Sequence, residues 1–129
     1  IPDAAASAVV DATGVPNTND LLAAADVLVT DFSSVLFDFL STGRPLIFFA
    51  PDLEEYRNHA RGLYLDVADL PGPMTTTYED LAARLREAMR HGEMPGFSLE
   101  AARERYCAHD DGRAAERVVA HVFGPGKVS

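Results

Sequence analysis

The sequence predicts an α/β fold in which helices flank a Rossmann-like parallel sheet. Residues 26–31 and 45–50 are short, almost continuously apolar runs, without the alternation of a strand that has one face in water. Capping and turn residues divide the intervening chain into helix-length segments, which gives a β-α-β-α-β order. With 129 residues, the chain is expected to be one domain or a piece of one.

The first elements are predicted from local turn and capping residues. Residues 8–13 have the composition of a short strand, and the Gly-Val-Pro-Asn-Thr turn at 14–18 ends it. Asn19 is predicted to cap a helix over residues 20–25, and the second strand follows at 26–31.

The middle of the chain continues the pattern. A helix from Ser33 to Thr42 ends at Gly43, and the third strand, residues 45–50, is predicted to be buried. Residues 51–61 are charged and predicted to form a loop or a short helix. Residues 62–67 form a candidate fourth strand, and Pro71-Gly-Pro is a turn.

The last third is predicted to be helical. One apolar stripe follows helical spacing through Tyr78, Leu81, Ala82, Leu85 and Met89, and Gly92 and Pro95 end that helix. Ser98 is predicted to cap a helix that reaches about Cys107. Asp111 is predicted to cap another, with one apolar face made of Ala115, Val118, Val119 and Val122. Residues 124–129 are predicted to be a flexible tail.

Charge and cysteine content exclude several classes of function. Twenty Asp and Glu against eleven Lys and Arg give a net charge of −9, which disfavours nucleic acid as a partner. Cys107 is the only cysteine, so neither an internal disulfide nor a multi-cysteine metal site can form. No apolar run has the length of a membrane span.

The candidate ligand site begins where the strand at 26–31 ends. If Ser33 caps the next helix, the amides of Ser34, Val35 and Leu36 are free to hold phosphate oxygens, and the two serine hydroxyls add donors. Asp38 lies among large apolar residues, where a carboxylate needs a partner. Because it follows Ser34 by four residues, it shares a helix face with that serine and can accept hydrogen bonds from ligand hydroxyls.

Structural roles for the same residues remain open at this stage. Ser33 can simply cap the helix, and Asp38 can pair with Arg44 or another base. A metal role for Asp38 is disfavoured because no second carboxylate accompanies it at helical spacing. The charged run 52–57 is either an active-site rim or a solvated loop. The four histidines have no catalytic spacing, so no catalytic residue, cofactor or metal site is predicted.

A series of ordered motifs over residues 17–123 resembles the C-terminal portion of the CDP-glycerol glycerophosphotransferases. These motifs are Asn19-Asp-Leu-Leu, Asp26-Val-Leu-Val-Thr-Asp-Phe-Ser-Ser-Val-Leu-Phe-Asp-Phe, Arg44-Pro-Leu-Ile-Phe-Phe, Asp52-Leu-Glu-Glu-Tyr-Arg, Arg61-Gly-Leu-Tyr, Gly72-Pro-Met and, near the end, Asp111-Gly-Arg-Ala-Ala-Glu-Arg. The resemblance implies that residues 1–123 are part of the C-terminal nucleotide-binding domain of a two-domain, GT-B type glycosyltransferase fold.

The resemblance also implies a function and a site. It implies transfer of glycerol phosphate from a CDP-glycerol donor to a teichoic-acid-type polymer on a lipid carrier, in the cytoplasm or at the cytoplasmic face of the membrane. Contact with the membrane is expected through regions outside this chain. In the family the two serines and the helix aspartate contact the donor, which here are Ser33, Ser34 and Asp38. The family's two catalytic histidines belong to segments upstream of the equivalent of Ile1, so this chain is expected to be part of a longer enzyme, or a truncated product, that does not turn over alone.

Three other functions remain as alternatives. A nucleotide-sugar-dependent glycosyltransferase of the same fold would use Asp38 to hold ribose or sugar hydroxyls. A receiver-like signalling module would use Asp31 at the strand end, although the sequence lacks an acidic pair after the first strand and a lysine after a later strand. A non-catalytic remnant would bind no ligand.

Overall fold

Three parallel strands form the sheet in the computed structural model, which describes residues 8–53, 69–92 and 94–124. The strands are β1 (Leu28–Thr30), β2 (Leu46–Phe49) and β3 (Met74–Thr75), and they lie side by side in that order. Leu28 pairs with Leu46 in the first ladder, and Phe48 pairs with Met74 in the second. The predicted parallel α/β architecture is therefore confirmed.

Five helices accompany the sheet within the described ranges. They are α1 (Thr18–Ala24), α2 (Val35–Leu40), α3 (Tyr78–His91), α4 (Leu99–Tyr106) and α5 (Ala114–Phe123). Helix α2 packs on β1 and β2 and also contacts α1 and α4, whereas α3 packs on β2 and β3. The sheet thus has helices on both faces, as parallel sheets require.

The central strand β2 supplies both layers of the core. Leu46 and Phe48 join one cluster with Leu36 and Phe39 of α2, and Ile47 joins a second cluster that includes Ala88 of α3. Leu46, Ile47 and Phe48 are fully buried. This agrees with the prediction that the third strand is buried, because side chains alternate between faces along a strand and both faces here are covered.

Gly72 lies where the chain enters β3. A Cβ atom at this position would stand 2.2 Å from the carbonyl oxygen of Leu46. The turn predicted at 71–73 is confirmed, and it brings the backbone against β2 so closely that only glycine fits. The two-residue strand β3 that follows has no counterpart among the predicted elements.

The strand predicted at residues 8–13 is wrong. These residues form no strand, and Val10 is 88% exposed. The Asp11 carboxylate accepts hydrogen bonds from the amide of Thr13 at 2.9 Å and from its hydroxyl at 2.7 Å. Such local side-chain bonds hold the backbone in a turn and compete with pairing in a sheet.

The predictions for α1 and β1 need smaller corrections. Helix α1 is capped by Asn17 rather than Asn19, since the Asn17 side chain accepts the amide of Asn19 at 3.1 Å. Strand β1 is shorter than predicted and is not buried on both faces, because Val29 is 39% exposed.

The C-terminal helices lie where they were predicted, with corrections to their caps and faces. Helix α3 ends at Gly92, in the left-handed conformation, and Ser98 caps α4 by accepting the amide of Ala101. The predicted stripe of α3 is wrong at its ends, because Tyr78 and Met89 are exposed while Ala88 is buried. Tyr78 nevertheless contacts the sheet with its ring, whose centroid lies 5.1 Å from that of Phe49 in β2.

Helix α5 begins at Ala114, and its cap residue is Arg113 rather than the predicted Asp111. The Asp111 side chain accepts the Arg113 amide at 2.9 Å, in the turn that precedes the helix. Its apolar face is uncovered by the described residues, with Val118 60% and Phe123 70% exposed. The loop or helix predicted at 51–61 is described only to Leu53. The fourth strand at 62–67 and the tail beyond Gly124 lie outside the described residues. No described helix is long and apolar enough to span a membrane.

Candidate functional site

Polar side chains gather at the carboxyl ends of β1 and β2. Asp31 and Ser33 follow β1, Asp52 follows β2, and all three line a hollow of about 290 Å³ together with Phe32 and Ala50. Ligands of parallel α/β domains bind at this edge of the sheet. The position of Asp52 agrees with the interpretation of 52–57 as a rim, although residues 54–57 lie outside the described ranges.

The turn before α2 is more closed than predicted. The Leu36 amide donates to the carbonyl oxygen of Ser33 at 3.3 Å, and the Val35 amide reaches the Ser33 hydroxyl at 3.5 Å. Helix α2 therefore begins one residue later, with Ser34 in the cap position. The expected row of three free amides is wrong: of the amides of Ser34, Val35 and Leu36, only that of Ser34 makes no hydrogen bond to another described residue.

Asp38 is exposed, which corrects the prediction that it is buried among apolar side chains. Leu36, Phe39 and Leu40 are the buried residues of α2, and their spacing leaves position 38 on the outer face of the helix. The alternative that Asp38 pairs with Arg44 is also wrong. Arg44 instead donates through Nη1 to the carbonyl oxygens of Ala23 and Ala25, each at 2.7 Å, and so ties the end of α1 to the start of β2.

A larger hollow of about 550 Å³ lies beside Asp38. Helix α1 contributes Asn19 to its wall, α2 contributes Asp38, and the connection between α4 and α5 contributes His109 and Asp110. The remaining lining residues are small or apolar: Leu22, Ala23, Ser41, Thr42, Gly112, Ala114 and Ala115. Among the described residues that line this hollow there are two carboxylates and no Lys or Arg, so it favours hydroxyl groups over phosphates.

Cys107 lies beside this hollow. Its sulfur is 3.7 Å from the carbonyl oxygen of Phe37, and its side chain packs against the core cluster that contains Leu46 and Phe48. Burial and the nearby Asp110 carboxylate raise the pKa of the Cys107 thiol. The thiol is therefore uncharged near neutral pH, as suits a side chain that packs against apolar neighbours.

The structure separates the predicted site residues into two groups. Ser33 lines the smaller hollow, Asp38 lines the larger one, and Ser34 is exposed at the start of the helix that connects them. The sequence did not predict Asn19 and His109 as lining residues. Asn19 lies within one of the quoted motifs, whereas His109 lies outside them and reaches the hollow through tertiary packing. Within residues 8–53, 69–92 and 94–124, no three His, Cys, Asp or Glu side chains lie close enough to hold a metal ion together.

A parallel sheet flanked by helices, with polar residues at the carboxyl ends of its strands, defines a domain of the α/β class. The comparison with known families is more specific, because residues 2–124 match CDP-Glycerol:Poly(glycerophosphate) glycerophosphotransferase. The chain belongs to this family, as the sequence motifs indicated.

Relatives and solved structures agree with this assignment. The chain is 36% identical over 118 residues to the teichoic acid poly(glycerol phosphate) polymerase of Bacillus subtilis (strain 168), covering 88% of this chain and 15% of that protein. It is 36% identical over 109 residues to the teichoic acid poly(ribitol-phosphate) polymerase of Bacillus spizizenii (strain ATCC 23059 / NRRL B-14472 / W23), covering 83% and 17%. A histidine-to-asparagine variant of the wall teichoic acid polymerase TagF, soaked with CDPG for 30 minutes, superposes with a TM-score of 0.70 at 30% identity, covering 88% and 29%. The chain thus spans less than a third of the length of each of these proteins.

Proposed function

We propose that this chain is the donor-binding part of a transferase that moves glycerol phosphate from CDP-glycerol to a teichoic-acid-type polymer. The observation that carries this proposal is the family match over residues 2–124, which includes both hollows. The chain contributes to catalysis by holding the donor in a fixed orientation, because orientation lowers the barrier for a transfer between two bound molecules.

The two hollows suggest how the donor is held. Ser33 and Ser34 are assigned to the diphosphate, since their hydroxyls and the Ser34 amide are hydrogen-bond donors at the carboxyl end of β1. Asp31 and Asp52 line the same hollow, so the cations that balance the charge of the diphosphate come from other segments of the complete enzyme. Asp38 is assigned to donor hydroxyls, because a carboxylate accepts hydrogen bonds from hydroxyls and the larger hollow has no lining cation among its described residues. Four residues of helix place Asp38 about 6 Å along the axis from Ser34, so one nucleotide can span both groups.

The rest of the proposal extends beyond the described residues. Residues 1–123 form part of the C-terminal nucleotide-binding domain of a two-domain, GT-B type fold. The catalytic histidines and the groups that contact the lipid-linked acceptor and the cytoplasmic face of the membrane belong to other segments of the complete enzyme.

A CDP-activated ribitol is a second candidate donor. The ribitol-phosphate polymerase of Bacillus spizizenii matches the chain at 36% identity, the same identity as the glycerol-phosphate polymerase of Bacillus subtilis. Both donors share the cytidine diphosphate, so the assignments of Ser33, Ser34 and Asp38 hold for either one.

Titration calorimetry on the chain with CDP-glycerol, CDP-ribitol and UDP-glucose tests the proposal. We expect CDP-glycerol to bind most tightly, and Ser34→Ala and Asp38→Asn each to weaken its binding by about 1–2 kcal/mol, a five- to thirtyfold rise in Kd. Asp26→Asn is the matched control, because Asp26 is an exposed carboxylate that precedes β1 at the opposite edge of the sheet. Tighter binding of UDP-glucose would support the nucleotide-sugar alternative. Unchanged affinity in both site variants would refute the site assignment.

A further inference from the structure

The motif Asp111-Gly-Arg-Ala-Ala-Glu-Arg has no part in the proposed donor contacts, yet it forms the densest set of ionic hydrogen bonds in the described structure. Arg117, in the first turn of α5, donates through Nη1 to both carboxylate oxygens of Asp111, at 2.6 and 2.8 Å. Its Nη2 donates to the carbonyl oxygen of His109 at 2.5 Å. One guanidinium therefore holds the loop before α5 at two points.

The same loop has further anchors. The Asp111 carboxylate accepts the amide of Arg113 at 2.9 Å, and the amide of Asp110 donates to the carbonyl oxygen of Cys107 at 2.9 Å. Hydrogen bonding to Arg117 and to the Arg113 amide holds the pKa of Asp111 below its ordinary value. The carboxylate is therefore charged, and the ion pair intact, at neutral pH.

This loop is one wall of the larger hollow. His109 and Asp110 line the hollow on the side formed by the connection between α4 and α5, whereas Asn19 and Asp38 line it from α1 and α2. The position of the loop backbone sets the width of the hollow and the direction in which the His109 and Asp110 side chains point. Arg117 and Asp111 hold that backbone without lining the hollow themselves.

We infer that Asp111 and Arg117 are positioning residues for the donor: they fix the His109–Asp110 wall at the distance from Asp38 that a hydroxyl-bearing part of the donor requires. The inference rests on the proposed function, since it takes the hollow beside Asp38 as part of the donor site. The inference assigns a role to the C-terminal motif at residues 111–117, which makes none of the proposed donor contacts.

Burial argues for positioning rather than for general stability. The side chains of Arg117 and Asp111 are 44% and 53% exposed, and no described residue of α5 is buried. An exposed ion pair contributes little to the free energy of unfolding. It can nevertheless set the population of one loop conformation, and the apparent affinity of a ligand falls with the population of the conformation that binds it.

Arg117→Gln is the variant that tests the inference, and Arg113→Gln is its matched control. Arg113 makes an ion pair of similar geometry with Glu116, Nε to Oε2 at 2.9 Å, but that pair stays within the start of α5 and does not reach the loop. We expect Arg117→Gln to raise the Kd for CDP-glycerol about fivefold and Arg113→Gln to leave it unchanged. Both variants are expected to keep the Tm of the unmodified chain.

A second readout needs no ligand. Cys107 is the only cysteine and lies at the start of the anchored loop, so its rate of alkylation by iodoacetamide reports on that loop. We expect Arg117→Gln to increase the rate severalfold and Arg113→Gln to leave it unchanged. Arg117→Lys keeps the charge but loses the two-pronged geometry, and an intermediate rate and Kd are expected.

The outcomes separate this inference from the proposed function. If the unmodified chain binds CDP-glycerol and Asp38→Asn weakens binding, but Arg117→Gln changes neither Kd nor alkylation, only the inference is overturned. A parallel loss of Tm and affinity in Arg117→Gln and Arg117→Lys would show a general structural role and would also overturn it. Absence of CDP-glycerol binding to the unmodified chain would refute the proposed function and the inference together.

Discussion

Replacing Gly72 by alanine adds one methyl group where the chain has no room for it. The added Cβ would lie 2.2 Å from the carbonyl oxygen of Leu46 and 3.1 Å from Leu46 Cδ1. Real Cβ atoms essentially never approach closer than 3.0 Å, so the two backbones must separate by at least 0.8 Å, the difference between 3.0 and 2.2. Both partners are buried, and neither a side-chain rotation nor solvent can absorb this movement.

The expected cost has two parts. Overpacking a dense core costs about 1–3 kcal/mol. Moving the turn also strains the neighbouring hydrogen bond from the Phe48 amide to the carbonyl oxygen of Pro73, now 2.9 Å, which is worth about 1 kcal/mol. We therefore expect Gly72→Ala to lower the free energy of unfolding by about 2–4 kcal/mol.

Urea denaturation followed by circular dichroism measures this loss, and Gly14→Ala is the matched control. A Cβ at Gly14 would meet no atom within 4 Å, so the same chemical change there is expected to be neutral or to stabilise slightly. Equal free energies of unfolding for the two variants would show that the contact between Gly72 and Leu46 is relieved without cost, and the reasoning would be wrong.

Two further predictions concern stability. Arg44→Met removes two hydrogen bonds to the end of α1 and should lower the free energy of unfolding by about 1–2 kcal/mol in urea denaturation, whereas Arg86→Met, on the exposed face of α3, should not. Equal losses would contradict the role of Arg44. The raised pKa of the Cys107 thiol predicts that its own contribution to stability is constant below about pH 9 and falls above it, because the unfolded chain releases the thiol proton first. Cys107→Ser should remove that part of the alkaline decline, and identical pH profiles for the two proteins would contradict it.

The sequence predicted the helix ends that depend on contacts between residues close together in the chain. Gly92 and Ser98 end and begin helices through contacts within a few residues, and both were predicted correctly. Strand β3 could not be predicted in the same way. Met74 and Thr75 become a strand because they hydrogen-bond to β2, which lies more than twenty residues earlier in the chain.

The candidate site shows the same contrast between local contacts and contacts from distant parts of the chain. Ser33 follows β1, as the sequence predicted, and it lines a hollow there, whereas its contact with a ligand stays a prediction. The prediction that Asp38 is buried is wrong because apolar neighbours in sequence do not bury a side chain: helical spacing puts Leu36 and Phe39 on the buried face and leaves position 38 outside it. The loop at His109 reaches the hollow only through tertiary packing, which no local pattern in the sequence reports.

The division of β2 between two cores constrains how the chain can change in evolution. Leu46 and Phe48 contribute to one cluster and Ile47 to the other, so a shift of one residue along the strand would exchange their faces. Arg44, tied to the end of α1, sets where the strand begins. An insertion or deletion of one residue between Gly43 and Leu46 therefore cannot be absorbed by sliding, and homologues that keep this sheet should keep the length of that connection even where its composition drifts.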